Sequence, residues 1–370
     1  MTIPLTRPLL PPLHEFIPYL ERIWESGMLT NGGAMHQALE EALMQHLGVP
    51  HLVLTSNGTS ALLLALHAMG IEGEVITTPY SFVATAHALQ WSNITPVFVD
   101  IDPDTLNLDP GRIEAAITPR TKAILPVHCY GTPCDTAAIE RIAHQHGLKV
   151  IYDAAHAFAV EDEGGSILRH GDLSILSFHA TKVFNTFEGG AVVCPDEETA
   201  AHIRQLRNFG IVDETTVSCV GINAKLNEVS AAFGLLQLQH VEHAMQQRRR
   251  VDLRYRQGLS GIKGLRCPSP AAHAHRPNHA YFPILLDDDF PITRDALFAK
   301  LRGQGIMARR YFHPLISAFP MYADLSSATP ANLPVANAVA GSVLCLPIFP
   351  DLEDAQIDTI LDIIETAARG

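Results

Sequence analysis

The sequence predicts a two-domain α/β protein, in which helices cover both faces of a mostly parallel sheet and a smaller α+β domain follows. Short apolar runs rich in β-branched residues alternate with amphipathic stretches from about residue 36 to residue 245. After about residue 260 the composition becomes loop-rich, and a strand-like and a helix-like stretch then follow. The 370 residues are enough to bury more than one core.

The strand candidates of the first region are short and end in turn or polar residues: HLVLT, EVITT, PVFVD, AILPV, KVIYD, LSILSF and GAVVC. The helix candidates lie between them. In ALEEALMQHLG, Leu39, Leu43 and Leu47 recur on one helical face, and Gly48 ends the run. The same reasoning predicts helices in TSALLLALHAMG and DTAAIERIAHQHG. This alternation is typical of a parallel sheet with helical crossovers.

A longer helical run begins near Leu226 and reaches Arg250, and we expect it to cross to the second domain. The loop-rich CPSPAAHAHRPNHA follows, and then the strand-like YFPILL and the helix-like TRDALFAKLRGQG. We therefore predict a large domain over residues 1–245 and a small C-terminal domain over residues 246–370.

The charge of the chain argues against a nucleic-acid partner. Its formal net charge is −13, so its field repels phosphate backbones and anionic membranes. The densest basic patch is Arg248-Arg249-Arg250, at the end of a helical run, and we interpret it as a solvated helix face. We expect no binding to nucleic acid or to membranes.

The cysteines and the first residues predict a cytoplasmic protein. No CxxC pair occurs among the six cysteines (Cys129, Cys134, Cys194, Cys219, Cys267 and Cys345), which favours reduced thiols. The start, MTIPLTRPLLPPLHEF, lacks a basic segment followed by an apolar stretch, and no window has the length of a membrane helix. The histidine clusters lack a carboxylate-supported ligand set, so we expect no metal; they are His144 with His146, and His273 with His275 and His279.

The first candidate for chemistry is Lys182, in SFHATKVFNTFEGGAVV. A predicted strand ends there in a polar stretch that holds one lysine. Partial burial or neighbouring cations at a strand end lower the pKa of a lysine and make its amine a nucleophile toward aldehydes. Most lysines are solvated surface charges, so the position alone does not define a site.

The second candidate is Asp153, which ends the apolar strand in VIYDAAHAFAV. A carboxylate at the mouth of such a strand is desolvated unless it meets a cation. A protonated pyridine nitrogen is one such cation, and a cap on the next turn is the alternative. Since Asp153 and Lys182 follow neighbouring predicted strands, we expect them at the same edge of the sheet.

The third candidate is the turn in TSNGTSALLLALHAMG, where a strand ends at Asn57-Gly58 and a helix begins. Gly58 permits close approach of the backbone, the first N–H groups of the helix are free, and Thr59 and Ser60 add hydroxyls. By itself such a turn is only a capped helix. In this order with Asp153 and Lys182, it predicts a phosphate site.

In these motifs the chain resembles the DegT/DnrJ/EryC1/StrS family of sugar aminotransferases, which have the aspartate-aminotransferase fold (PLP fold type I). The resemblance extends over nearly the whole chain and includes LTNGG, NGTSALLLAL, EVITTPYSFVATAHAL, PVFVDIDPDTLNLDP, VIYDAAHA, SFHATKVFNTFEGGA and GINAKLNEVSAAFGLLQL. It implies pyridoxal 5′-phosphate (PLP) as cofactor, held by Lys182 as a Schiff base, with Asp153 on the pyridine nitrogen.

The resemblance also implies further cofactor contacts. His156 matches a polar side chain near the phenolic oxygen of the ring, and Ser177 matches a hydroxyl that binds the phosphate beside Gly58 and Thr59. Phe82 matches the aromatic residue that stacks on the face of the cofactor.

The family also completes each phosphate site from the second subunit of a homodimer, in the stretch GINAKLNEV. Some members have an Asn where this chain has Lys225, so Asn223 and Lys225 are alternative cross-subunit ligands. Near the C-terminus, RRYFHPL resembles the stretch that approaches the sugar nucleotide. Tyr311 and His313 are the candidates there, and a packed aromatic turn before Pro314 is the alternative.

The implied reaction moves an amino group from L-glutamate to a keto-sugar nucleotide. HATKVFNTFEGG with PYSFVATAHALQW resembles most closely the enzymes that aminate the 4-keto position of dTDP-4-keto-6-deoxy-D-glucose. A 3-keto sugar nucleotide is the main alternative, and a non-catalytic PLP-binding regulator is an alternative from another class. A dehydratase of this fold has histidine in place of the lysine, which Lys182 argues against. The family implies a role in O-antigen or other surface-glycan synthesis.

Overall fold

The computed structural model describes residues 2–268 and 274–370, and His273 lies outside these ranges. The strands in the described residues are β1 (His51–Thr55), β2 (Glu74–Thr77), β3 (Thr95–Phe98), β4 (Thr121–Leu125), β5 (Lys149–Asp153), β6 (Glu161–Asp162), β7 (Gly165–Ser166), β8 (Leu173–Ser177), β9 (Gly190–Cys194), β10 (Leu265–Arg266), β11 (Phe282–Leu286) and β12 (Val343–Leu346). The helices are α1 (Leu13–Ser26), α2 (Ala34–Leu47), α3 (Gly58–Ala68), α4 (Ala84–Trp91), α5 (Thr136–His146), α6 (Glu197–Leu206), α7 (Glu228–Leu259), α8 (Arg294–Gly303), α9 (Pro334–Ser342) and α10 (Asp354–Ala368).

A central sheet of seven strands in the described residues has the order β1-β9-β8-β5-β4-β2-β3. Five neighbours, β3, β2, β4, β5 and β8, are parallel, whereas β9 runs antiparallel to both β8 and β1. The carboxyl ends of the parallel strands therefore meet the amino end of β9 at one edge. The segments that follow β1, β5 and β8 all leave the sheet at this edge.

The predicted fold class is confirmed. HLVLT, KVIYD and GAVVC form β1, β5 and β9 over their full predicted lengths, because each is an apolar run that the sheet buries. The structure adds the reversed direction of β9, which periodicity does not reveal. It also extends the long helix: α7 begins at Glu228, capped by the Asn227 side chain, and ends at Leu259.

A second sheet, β10-β11-β12, is antiparallel and packs with α8 and α10 around its own core. This core includes Val251, Tyr255 and Leu259 from the end of α7, and also Ile3. The predicted boundary at residue 245 falls within α7, so one continuous helix contributes to both cores. The division into residues 1–245 and 246–370 stays a prediction.

One interpretation from the sequence is wrong. Arg248 is not on a solvated helix face but is 2% exposed. Its guanidinium donates hydrogen bonds to the carbonyl oxygens of Ala280, at 3.4 Å, and Ile348, at 3.0 Å. Arg249 is exposed, as expected. The error arises because α7 is covered by the second sheet on the side of Arg248, which a helical pattern alone does not predict.

Candidate active site

The residues predicted to hold the cofactor within one subunit come from segments at the carboxyl edge of the central sheet. Asp153 is the last residue of β5, and Ser177 is the last residue of β8. Gly58 begins α3 just after β1, and Lys182 lies in the loop that joins β8 to β9. Phe82 lies between β2 and α4. Residues far apart in sequence meet here because parallel strands share the direction of their ends.

Lys182 is partly buried, and its amine has few partners. Its Nζ donates a hydrogen bond to the Tyr281 hydroxyl at 3.3 Å. Burial lowers the pKa of Lys182 to about 8, although the Asp153 carboxylate acts in the opposite direction. About a tenth of the amine is therefore unprotonated at pH 7, and this is the form that attacks an aldehyde.

Asp153 is 4% exposed and lacks a direct ion pair among the described residues. Its carboxylate accepts hydrogen bonds from the Thr85 hydroxyl at 2.8 Å and the Ala155 N–H at 3.1 Å. Burial raises the pKa of Asp153 despite these bonds and the charge of Lys182. A buried carboxylate that is incompletely compensated suits a cationic partner such as a protonated ring nitrogen.

His156 is buried three residues after Asp153 and is held in one tautomer. Its Nδ1 accepts a hydrogen bond from the Tyr130 N–H at 3.2 Å, so the neutral ring carries its proton on Nε2. Burial, with a smaller contribution from the Lys182 charge, lowers the pKa of His156 well below its usual value. His156 is thus a neutral hydrogen-bond donor, as an oxygen anion on a cofactor ring requires.

The turn before α3 forms an anion cradle. A Cβ on Gly58 would lie 2.8 Å from the Ser177 Cβ, so only glycine permits this approach between the two segments. The N–H groups of Gly58 and Thr59 make no hydrogen bond to the described residues, and they begin a helix. Gly58, Thr59 and Ser177 together present the donors that a phosphate needs.

Ser60 has hydrogen-bond partners within the protein, and its role at the phosphate stays a prediction. Its N–H donates to the Asn57 Oδ1 at 2.8 Å, and its hydroxyl lies 3.0 Å from the same oxygen. The Ser56 hydroxyl is also 3.0 Å away. Ser60 therefore completes the cap of α3, and its donors are engaged within the protein.

Phe82 is 59% exposed although it is a large apolar residue. It precedes α4, whose Thr85 contacts Asp153. The exposed Phe82 ring thus lies close in sequence to Thr85, the hydrogen-bond partner of Asp153. This position fits a stacking role on a planar cofactor.

The two alternative cross-subunit ligands behave differently in the single chain. Lys225 donates a hydrogen bond to the Asn208 Oδ1 at 2.7 Å, and its ammonium lies 5.2 Å from the centre of the Phe209 ring. Burial and the Arg207 charge lower the pKa of Lys225. Asn223 is exposed and has a backbone bridge to Asn208. The choice between them stays open.

Tyr311 adjoins the lysine site, whereas His313 faces outward. The Tyr311 ring lies 6.1 Å from the ring of Tyr281, the partner of Lys182. The backbone oxygen of Tyr311 accepts a hydrogen bond from the Tyr80 hydroxyl at 2.9 Å and a second one from the Tyr130 hydroxyl. Tyr311 therefore belongs to a packed aromatic turn and also lies near the candidate site, so the two alternatives from the sequence do not exclude each other. His313 is exposed.

Sequence reasoning missed Thr85 and Tyr281. Thr85 had a detectable signal, since it follows Phe82 by one helical turn in PYSFVATAHAL and so faces the same side. Tyr281 had none. It precedes β11 in the second sheet, and only the packing of that sheet brings its hydroxyl to Lys182 and its ring 4.7 Å from the ring of His156.

These residues fit PLP. A partly buried amine would meet the aldehyde, a buried carboxylate would meet the ring nitrogen, and a neutral His156 donor would meet the phenolic oxygen. The cradle of Gly58, Thr59 and Ser177 would hold the phosphate. In the described residues no group of three or more His, Cys, Asp or Glu side chains is arranged to hold a metal.

The fold and the amine–carboxylate pair define the class of pyridoxal-phosphate aminotransferases. Residues 13–365 match the model of the DegT/DnrJ/EryC1/StrS aminotransferase family. This chain belongs to that family, and the resemblance inferred from its sequence is confirmed.

One relative and two solved structures show which members of the family this chain is similar to. The dTDP-4-amino-4,6-dideoxy-D-glucose transaminase of Shigella dysenteriae is 54% identical over 97% of each chain. The crystal structure of DesI in the presence of its TDP-sugar product has 38% identity and a TM-score of 0.94, and covers 99% of this chain and 93% of that one. NtdA from Bacillus subtilis, with bound cofactor PMP, has 28% identity and a TM-score of 0.88 over 97% and 82% of the two chains.

Proposed function

We propose that this protein is a PLP-dependent aminotransferase that moves the amino group of L-glutamate onto dTDP-4-keto-6-deoxy-D-glucose and forms dTDP-4-amino-4,6-dideoxy-D-glucose. The observation that carries the proposal is the Lys182 amine, with its pKa lowered to about 8, at the same sheet edge as the buried Asp153 carboxylate. The 54% identity to a transaminase named for this product supports the choice of sugar.

PLP, when bound, supplies an aldehyde that takes up the amino group and an electron-poor ring. Lys182 would hold the cofactor through its aldehyde carbon, and its amine, once displaced by the amino donor, would move a proton on Nζ between the substrate carbon and the cofactor. A pKa of about 8 suits this work, because the amine gives and accepts protons readily near neutral pH. Asp153 holds the ring nitrogen protonated, and His156 donates to the phenolic oxygen.

Gly58, Thr59 and Ser177 bind the phosphate, with Phe82 on the face of the ring. Either Asn223 or Lys225 of a second subunit completes the phosphate site in a homodimer. Many large apolar side chains near these segments are exposed in the single chain, which supports a second copy there: Phe82, Phe187, Phe209, Ile211, Val212, Val217, Val220 and Ile222. Light scattering tests the dimer, and a monomer would contradict it.

The experiment that tests the reaction has two steps. Purified protein with PLP is first given L-glutamate, which should convert the absorbance of the bound cofactor to that of its amino form. A keto-sugar nucleotide is then added, and the position of the new amine is located by NMR. We expect amination at C4. Amination of only a 3-keto sugar would contradict the substrate, and a cofactor unchanged by glutamate would favour a regulator.

The described residues contain no helix that is long and apolar enough to cross a bilayer. All six cysteines are free thiols, which supports our placement of the reaction in the reducing cytoplasm. We place its product in O-antigen or other surface-glycan synthesis.

A further inference from the structure

A groove of about 420 Å³ lies beside the candidate active site. Tyr311 lines this groove and also packs against Tyr281, the hydrogen-bond partner of Lys182, so the groove adjoins the lysine site. The groove also contains Arg302, Arg309 and Arg310. We call it the arginine groove.

The charge of the groove is opposite to that of the protein. The whole chain has a formal net charge of −13, but no described residue that lines the groove is acidic. The Arg302 guanidinium contacts the Met307 sulfur, at 2.8 Å, and lies 5.7 Å from the centre of the Phe298 ring. Arg309 is exposed, and its guanidinium lies 5.8 Å from the centre of the Tyr311 ring. Neither arginine has a carboxylate partner in the described ranges, so the charge of each remains available to an anion.

Arg310 is held in place by its neighbours. Its guanidinium lies 4.0 Å from the centre of the Phe298 ring, and its Nε lies 2.9 Å from the Asp295 Oδ1. Stacking and one ion pair fix the plane of the guanidinium and leave its terminal nitrogens for a ligand. Burial, together with the charges of Arg294 and Arg310, lowers the pKa of His313 at this wall, although the Asp295 charge acts in the opposite direction.

We propose that the arginine groove binds the diphosphate of the nucleotide-sugar substrate, with Arg302 and Arg309 as its principal ligands and Arg310 as a fixed third donor. Guanidinium groups match pairs of phosphate oxygens, and the groove is larger than a single carboxylate requires. Its position beyond Tyr311 suits a substrate whose sugar reaches Lys182 while its diphosphate remains outside. This inference rests on the proposed function, since it assigns a site to that reaction's acceptor.

The test separates the two halves of the reaction. Arg309→Ala should raise the KM for dTDP-4-keto-6-deoxy-D-glucose and the inhibition constant of dTDP by about 10- to 100-fold, the size of a lost charge-assisted hydrogen bond. The rate at which L-glutamate converts the bound cofactor should stay within about twofold of wild type, because this half-reaction involves no diphosphate. Arg302→Ala should act in the same direction.

Arg249→Ala is the matched control. Arg249 is another exposed arginine without an ion pair to the described residues, and it does not line the groove. It should leave both half-reactions unchanged. Arg309→Gln, which keeps most of the side-chain length, repeats the measurement if Arg309→Ala fails to fold, as judged by circular dichroism.

Unchanged dTDP inhibition in a folded Arg309 variant overturns the groove as a diphosphate site. A raised KM for glutamate with an unaltered KM for the sugar nucleotide also overturns it, and assigns the arginines to the carboxylates of the amino donor. Failure of the wild-type protein to react with glutamate at all is a different result. It refutes the proposed function rather than the location of the diphosphate.

Discussion

Two polar clusters in this protein contain similar side chains but differ in how their charges are paired. The first, which we call the helix cluster, consists of His36 and Glu40 on α2 with Arg207 after α6. The second is the Asp153–Lys182 pair of the candidate site. Each contains a carboxylate and a cation that folding removes from water, and each lies against the central sheet.

In the helix cluster the carboxylate and the guanidinium form a direct ion pair. Arg207 lies 3.0 Å from the Glu40 Oε1 and donates to the Leu54 carbonyl oxygen at 2.6 Å, while the Leu54 N–H donates to Glu40 at 2.9 Å. Burial alone would raise the pKa of Glu40, but the hydrogen bond with His36 and the Arg207 charge lower it overall. Burial lowers the pKa of Arg207 although the Glu40 charge opposes it, so the direct ion pair is what distinguishes this cluster from the candidate site.

In the Asp153–Lys182 pair burial outweighs the partners. The pKa of Asp153 is raised and that of Lys182 is lowered to about 8, so each group is shifted toward its neutral form. The comparison teaches that burial of charge does not by itself identify a site. The informative feature is a buried charge that the protein leaves incompletely paired.

The largest expected effect is that of Lys182→Ala. Since this change removes the amine that binds the cofactor and transfers the proton, we expect loss of the absorbance of covalently bound PLP and a fall in transamination of at least about 10²–10⁴-fold. Absorbance spectra and glutamate turnover measure it. Lys149→Ala, at an exposed lysine paired with Asp172, is the control and should keep both. Retention of the band in the Lys182 variant would contradict the assignment.

Asp153→Asn should reduce turnover by about 10²-fold, because the amide cannot keep the ring nitrogen protonated. It should not destabilise the cofactor-free protein. The pKa of Asp153 is raised in the folded state, so the folded state binds the proton more tightly than the unfolded state. At a pH above the folded and the unfolded pKa, the ionised Asp153 therefore lowers the stability of the protein. Urea unfolding at neutral pH measures this. A large loss of stability would show that Asp153 is structural.

Glu40→Gln should lower stability and leave turnover unchanged, the opposite of what we expect for Asp153→Asn. It leaves the Arg207 guanidinium buried without its counter-charge, and we expect a loss of about 3 kcal/mol in the free energy of unfolding. The rate of the half-reaction with glutamate should remain within about twofold of wild type, because Glu40 does not contact the site. Equal losses of stability in the Asp153 and Glu40 variants would remove the distinction between the clusters.

The smallest effect is a pH dependence of cofactor capture. Only the unprotonated Lys182 amine attacks the aldehyde, so the rate at which PLP binds covalently should rise with pH and level off above a pH of about 8. At one pH unit below this value the rate should be about tenfold lower than the plateau. Stopped-flow absorbance across the pH range measures it. A rate that continues to rise to pH 10 would indicate an ordinary, unperturbed lysine.

Much of the fold and the centre of the site could be predicted because the information is local. Apolar runs define β1, β5 and β9, and a polar residue at the end of an apolar strand marks Asp153. Gly58 and Asn57 define a helix start by their own chemistry. The sequence pattern does not show that the Ser60 N–H donates to Asn57, and its role at the phosphate stays a prediction, because a hydroxyl at this position serves a cap or a ligand.

The sequence by itself determined the order of strands and helices, the edge at which Lys182 and Asp153 meet, and the family. The tertiary structure alone decided that Tyr281 bonds to Lys182, that Arg248 is buried, and that Arg302 shares a groove with Tyr311. Local patterns record how a residue relates to its own helix or strand. The partners of these three come from distant segments, and only the packing of the second sheet against the first determines which segments meet.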